Sequence, residues 1–262
     1  MKYIRLVYRF ILVIALVLWG ITVVLTVYGR DPVHRSARDW RFVNRWMRTL
    51  CRIAGLRVHV SGQPANNPVL LVSNHISWHD IIVLQSLVGT GFVGKAEIRG
   101  WPLIGWLAHH GNTLFIKRGK RESFQETLAA MSERLRANQN IMLFPEGTTT
   151  TGESMLPFRS RLLEPALKLN LPIQPVAIWY KGKTMSCQQV AFVGDEDFFS
   201  HVLRTLGEQY IDVYVRFCEP VITAGHNNLR ELGQQAEQHI AEQLAVIIKE
   251  QSLIKPANEF RS

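Results

Sequence analysis

The chain has 262 residues, 47% of them hydrophobic, and a formal net charge of +9; this suits one α/β domain with a sizeable core, or two small domains, and argues against intrinsic disorder. Three dispersed cysteines, Cys51, Cys187 and Cys218, form no CxxC pair, which argues against a zinc ribbon or a disulfide framework and leaves reduced thiols as the expectation. The positive excess leaves three acidic partners open: nucleic acid, an anionic membrane surface or an acidic carrier protein.

Residues 10–28 (FILVIALVLWGITVVLTVY) carry no charge. As a helix the run reaches about 28 Å, close to the ~30 Å of bilayer hydrocarbon. Lys2, Arg5 and Arg9 precede it and Arg30 follows. A signal peptide has a shorter apolar region and a small-residue cleavage site, whereas Val24, Val27 and Tyr28 close this run. Residues 1–30 are therefore expected to form an N-terminal membrane helix. In residues 31–55, Trp40, Val43, Trp46, Met47, Leu50 and Ile53 recur at helical spacing, and Arg38, Arg41, Arg45, Arg48 and Arg52 fall mostly between them. That pattern predicts a basic amphipathic helix in the headgroup layer, although a helix packed on the globular part would read the same way. Because the basic excess is larger after the apolar run, the globular part is expected on the cytoplasmic side. A re-entrant hairpin of the two helices is the alternative to a span.

From residue 56 on, short apolar runs alternate with helical patterns. Residues 69–73, 113–117, 140–144, 173–179 and 210–217 read as strands. Ser123 and Glu126 make a capping-box pattern for a helix with Phe124, Leu128, Met131 and Leu135 on its apolar face. A last helix is expected over about 228–250, with Leu229, Leu232, Ala236, Ile240, Leu244 and Ile247 on one side and Pro256 beyond its end. The alternation predicts a single α/β domain over 56–255, with a central mostly parallel β-sheet flanked by helices, preceded by the N-terminal membrane helices and followed by a tail at 256–262.

The stretch VSNHISWHD at 72–80 follows directly on a strand. Asn74 and His75 then stand at the strand's carboxyl end, where open α/β sheets place ligands. On one continuous helix His75 and Asp80 would lie on different faces. A turn at His75 and a helix start near Ser77 would bring the carboxylate back to the ring. Asp80 would hold one nitrogen and leave the other free to take a proton. This is triad logic without a protein nucleophile, so a substrate hydroxyl would take that part. Taken alone, such a pair also reads as structural. A competing reading makes His75, His79 and Asp80 metal ligands with help from Glu146, but there is no glutamate after the first histidine as in HExxH, and the expectation is no metal. Residues 111–118 (GNTLFIKR) form a strand ending in cations, of which Arg118 is the candidate forked donor for a phosphate. Lys117, Lys120 and Arg121 read as a solvated basic loop. In 143–150 (LFPEGTTT), Pro145 and Gly147 bend the chain around Glu146, which would expose backbone N–H groups and its carboxylate to a cleft, although the run also reads as a simple turn; Arg159 brings a further cation.

Asn74-His75 with Asp80, residues 111–118, the FPEGT run of Phe144, Pro145, Glu146, Gly147 and Thr148, and residues 172–176 resemble, in order, the four blocks of the glycerolipid acyltransferases typified by 1-acylglycerol-3-phosphate acyltransferase. The two N-terminal segments also resemble that family's membrane-binding helices. The resemblance implies His75 as general base and Asp80 as its partner. Asn74, Arg118, the 144–148 turn and Arg159 would bind the acceptor, including its phosphate. The co-substrate would be acyl-CoA or acyl-carrier protein, with no other cofactor. The implied acceptor is a lysophospholipid in the membrane, foremost 1-acylglycerol-3-phosphate, giving phosphatidate. One departure matters: many phosphatidate-forming members continue the run with an arginine where this chain has Thr149. Members acting on other lysolipids, such as lyso-ornithine lipid, resemble this threonine-rich variant. A non-catalytic basic membrane-binding protein would have no use for the histidine motif, nucleic-acid binding lacks any of its sequence signatures, and none of the cysteines sits in a motif for a covalent acyl route.

Overall fold

Residues 2–28, 36–65, 68–117 and 121–253 are described by the structure, a computed structural model. Arg30, Arg118, Lys120 and the 256–262 tail with Pro256 lie outside the described residues. In chain order the elements are α1 Lys2–Val23, continued by a π-helical turn at Val24–Tyr28, α2 Ala37–Ala54, β1 Leu56–Ser61, β2 Leu70–Ser73, α3 His79–Leu87, β3 Thr90–Lys95, α4 Ile104–His110 and β4 Leu114–Ile116. They continue as α5 Arg121–Arg136, β5 Asn140–Leu143, α6 Glu164–Lys168, β6 Ile173–Gly182, α7 Cys187–Val190, α8 Phe198–Leu206, β7 Ile211–Phe217 and α9 Leu229–Leu253.

The seven strands among the described residues form one sheet in the order β1-β7-β6-β2-β5-β3-β4. β6, β2, β5, β3 and β4 run parallel. β7 is antiparallel to β6, and β1 lies parallel to β7 at the edge. Helices cover both faces, so the central strands are buried on both sides and read as unbroken apolar runs. Along β2 the side chains alternate between two cores. Leu71 faces a core with Ile76, Val83, Ile178 and Tyr180; Leu70 and Val72 face one built on α5 and α9.

The mixed α/β fold with its mostly parallel sheet is the expected one, and all five expected strands are present. β1 and β3 were not anticipated. β1 (LRVHVS) exposes Arg57, His59 and Val60 at the sheet edge, so its alternation is weak, and β3 (TGFVGK) carries two glycines with little strand preference. The capping-box expectation at Ser123 fails because α5 is already helical at Arg121. Inside the helix, the Ser123 carbonyl accepts from Thr127 Oγ1 at 2.9 Å. A true capping box forms instead at Ser36 and Asp39, ahead of α2.

The N-terminal pair is built into the fold. The indole of Trp46 in α2 donates to the Leu16 carbonyl of α1 at 3.1 Å. A Cβ on Gly20 would lie 2.8 Å from the same indole, so only glycine permits this approach. The apolar stripe of α2 packs on α1 and α3, while its five arginines stay exposed. Arg5 and Arg9 do not serve as loose flanking charges. Arg5 donates to the Gly207 carbonyl, and Arg9, only 6% exposed, donates to the carbonyls of Leu206, Glu208 and Gln209. These include carbonyls left free at the C-terminal end of α8, where the helix dipole favours a cation. The outer face of α1 exposes Tyr3, Ile4, Val7, Ile11, Leu18 and Trp19. Among the described residues, α1 with its continuation is the one helix long and apolar enough to cross a membrane.

Candidate active site

β2 ends at Ser73, and the chain turns out of the sheet at Asn74. Asn74 is fully buried, and its side chain extends the β2–β6 ladder by one rung: Nδ2 donates to the Ile178 carbonyl at 2.9 Å and Oδ1 accepts from the Ile178 N–H at 2.9 Å. His75 therefore leaves the carboxyl edge of the sheet at a fixed point. The chain enters α3 only at His79, so His75 and His79 share no helix face. Asp80 lies in the first turn of α3 and reaches back. Its Oδ2 accepts from His75 Nδ1 at 2.7 Å, from the Ile76 N–H at 2.7 Å and from the Ser77 N–H at 3.0 Å. The helix start also favours the negative charge. With Asp80 on Nδ1, the ring keeps Nε2 for a proton. His75 stacks on Phe144 at 4.0 Å between centroids, and its side chain is 18% exposed, against 0% for Asp80.

Glu146 is placed behind this ring. It is 3% exposed, and one carboxylate oxygen accepts from the His75 N–H at 2.7 Å while the other accepts from the Leu156 N–H at 2.8 Å. Both oxygens are thus engaged with backbone, and the carboxylate does not face the cleft as the sequence suggested. Burial pushes its carboxyl up from the ordinary value, an effect opposed by the two N–H donors. The turn that carries it needs Gly147, which has φ +76° and would place a Cβ 2.9 Å from the Arg159 guanidinium. The Arg159 N–H donates to the Pro145 carbonyl at 3.0 Å, tying the two segments together.

In front of the ring lies an apolar cavity of about 1030 Å³, at the upper end of the ~300–1,000 Å³ usual for small-molecule sites. His75, Phe144, Gly147, Thr148, Thr149 and Arg159 are among the residues that line it. Val13, Val17 and Gly20 of α1, Val43, Trp46 and Leu50 of α2, and Ile104 and Leu107 of α4 line it too, as do the charged Lys95, Lys117, Glu196 and Asp197. Of the expected site residues, the cavity gathers His75, Phe144, Gly147, Thr148 and Arg159; Asn74, Asp80, Pro145 and Glu146 support them from behind, and Arg118 lies outside the described residues. The hydroxyl of Thr149 donates to the Phe192 carbonyl, and the Phe192 N–H donates to the Ile76 carbonyl at 3.0 Å. No three His, Cys, Asp or Glu side chains among the described residues are grouped to share a metal ion. Sequence reasoning missed two contributors. One is α4, a short apolar helix with no motif. The other is Tyr180, whose hydroxyl donates to Asp80 Oδ1 at 2.6 Å across a separation of 100 residues.

Comparison with known proteins bears on the family and the fold. The family model described as Acyltransferase matches residues 55–179. The chain is 39% identical over 209 residues to a lyso-ornithine lipid O-acyltransferase of Pseudomonas aeruginosa, covering 80% of this chain and 78% of that one. It is 34% identical over 126 residues to a 1-acyl-sn-glycerol-3-phosphate acyltransferase of Neisseria gonorrhoeae, covering 47% of this chain and 49% of the other. The fold matches the crystal structure of the 1-acyl-sn-glycerophosphate (LPA) acyltransferase PlsC from Thermotoga maritima with a TM-score of 0.71 at 22% identity, over 95% of this chain and 98% of that one.

Proposed function

This chain belongs to the acyltransferase family of lysolipid enzymes, and from that premise we propose that it acylates the free hydroxyl of lyso-ornithine lipid, using an acyl thioester as donor and His75 as general base. The observation that carries the chemistry is the 2.7 Å contact between His75 Nδ1 and Asp80 Oδ2 beside an open apolar cavity. His75 Nε2 takes the proton of the acceptor hydroxyl as its oxygen attacks the thioester carbonyl. The tetrahedral adduct collapses, the C–S bond breaks, and the imidazolium returns its proton to the departing thiolate. A thioester is already activated, so a positioned base and a held substrate suffice. The apolar cavity holds an acyl chain, each buried methylene contributing about 0.8 kcal/mol. Acyl-CoA or acyl-carrier protein is the donor, both acidic and suited to a chain of net charge +9. The exposed apolar face of α1 seats the enzyme in the cell inner membrane, with the catalytic domain toward the cytoplasm, where such donors are found.

Two observations support this acceptor. The relative matched over most of both chains is named for lyso-ornithine lipid, and the Thr149 side chain binds the Phe192 carbonyl instead of presenting a cation to the cavity. Arg159 then provides one fork for a single carboxylate. The second reading, 1-acylglycerol-3-phosphate giving phosphatidate, is favoured by Arg159 at the cavity wall as a phosphate ligand and by the name of the Neisseria relative.

The test is purified protein in mixed micelles, offered acyl-CoA and acyl-carrier protein against a panel of lysolipids, with products identified by mass spectrometry. Acylation of lyso-ornithine lipid over 1-acylglycerol-3-phosphate is expected, with activity abolished in His75→Ala. A Thr149→Arg variant should shift use toward the phosphate acceptor. Unchanged turnover by His75→Ala would falsify the mechanism; preference of the wild type for 1-acylglycerol-3-phosphate would overturn the acceptor alone.

A further inference from the structure

Asp80 has two carboxylate oxygens, and the dyad described above uses one. Oδ2 is crowded, with the His75 ring and two backbone N–H groups upon it. Oδ1 has one donor among the described residues, the hydroxyl of Tyr180 at 2.6 Å. Both side chains are fully buried, so no water replaces that contact, and an unsatisfied buried carboxylate oxygen is costly. The placement follows from the sheet. β6 lies beside β2, and the Asn74 side chain bonds both backbone groups of Ile178. Tyr180 is two residues further along, hence on the same face as Ile178 and directed at the same core.

We infer that Tyr180 is a positioning residue of the reaction, its phenol holding Asp80 so that the carboxylate presents Oδ2 to His75 and delivers only part of its charge to the ring. The inference rests on His75 being the base. The phenol remains a donor throughout the working range, because burial and the neighbouring Asp80 push its ionisation well above the ordinary value. Other titratable groups near the pair are Glu146 after β5, Cys187 of α7, Cys51 of α2 and His79 of α3. Both thiols are pushed up to about 12 by burial. Glu146 is engaged with backbone, and His79 is turned to Ser77 Oγ at 2.9 Å. None of the four takes the place of the phenol on Oδ1.

The sign of the effect is fixed by charge. A hydrogen bond on Oδ1 draws negative charge away from Oδ2. Without it, Oδ2 holds the imidazolium proton harder, and the base is silenced up to a higher pH. A tyrosine that merely filled the core would change stability and leave the pH profile in place.

The experiment compares wild type, Tyr180→Phe and His75→Ala in the micelle assay over pH 5–9, with circular dichroism and melting as a check on folding. Tyr180→Phe is expected to lower kcat about tenfold, part of the ~10²–10⁴ that a positioned base contributes. KM should hold, and the acid limb of kcat/KM should move to higher pH. Should the phenylalanine variant not fold, 3-fluorotyrosine introduced at position 180 decides: its more acidic phenol donates more strongly and should move the limb to lower pH. A limb that stays in place in the folded variant overturns the role of Tyr180 while His75→Ala remains inactive. Activity surviving in His75→Ala instead removes the base on which the inference stands.

Discussion

The two sides of His75 are built from opposite materials. Behind the ring, Asn74, Asp80, Glu146 and Tyr180 form a polar wall in which every side chain is buried and hydrogen-bonded. In front, the cavity walls are mostly aliphatic and aromatic side chains, many of them from α1 and α2. The rear wall is directional and intolerant, because a buried polar group without its partner loses the full cost of its desolvation. The front wall is non-directional and adjustable, because apolar contacts scale with area and shape. His75 is thus positioned by sheet ladder and hydrogen bonds, while the cavity before it is bounded by parts that can vary without moving the ring.

The largest test of that division is Glu146→Gln. The substitution keeps shape and size, but the amide presents an NH₂ to one of two N–H donors, His75 or Leu156, where a carboxylate oxygen accepts now. One of two part-buried donors goes unpaired, at about 1–3 kcal/mol where water does not reach it. If that strain falls on the His75 backbone, kcat should drop about 5- to 150-fold, with KM for the lysolipid little changed. A large rise in KM at unchanged kcat would mean that the carboxylate binds the acceptor directly, as the sequence pattern had implied, and would erase the distinction between the two walls.

A front-wall change should behave differently. Gly20 lines the cavity and touches the Trp46 indole. Gly20→Leu must push Trp46 aside and fill part of the space. The expected result is a preference moved toward shorter acyl chains by several-fold, at about 0.8 kcal/mol per methylene excluded, while the pH profile set by the rear wall stays put. Competition between acyl donors of different length reads this directly. An unaltered chain profile would separate the α1–α2 end of the cavity from acyl binding.

How much of this was legible in the sequence follows the same line. His75 and Asp80 were readable because a strand end, a turn and a helix start lie within six residues of chain. The burial of Glu146 was not, since it depends on Leu156 and on the strand beside it. Tyr180 was out of reach for a stronger reason: its partner is 100 residues away, and nothing local distinguishes it from any aromatic residue on a buried strand. The arginines of α2 were read as they stand, exposed opposite an apolar stripe, but the stripe faces α1 and α3 as well as the cavity. Arg5 and Arg9 looked like membrane-flanking charges and instead close the end of α8, a role set by a helix two hundred residues on. The missed β1 and β3 have an exposed edge and two glycines, so their residue types carry little strand signal.

The smallest expected effect concerns the histidines beside the rear wall. His201 Nε2 donates to the Val190 carbonyl at 3.0 Å, and Nδ1 accepts from the Trp78 indole at 3.0 Å. That pattern fits only the neutral ring, and burial accordingly lowers its ionisation from the ordinary value, with His79 nearby lowered further for the same reason. In the unfolded chain both titrate near ~6.5. Above that pH their contribution to stability is complete. Below it the unfolded state binds protons that the folded state refuses, so stability falls with pH. His201→Gln keeps one donor for Val190 and one acceptor for Trp78 but does not titrate. Between pH 7.5 and 5.5 the wild type should lose more stability than the variant, seen as a larger fall in its melting temperature. Scanning calorimetry in detergent at the two pH values measures the difference. Equal losses in both proteins would mean that Trp78 and Val190 give way as the ring charges, so that this neighbour of the rear wall tolerates the rearrangement that the division between the walls denies it.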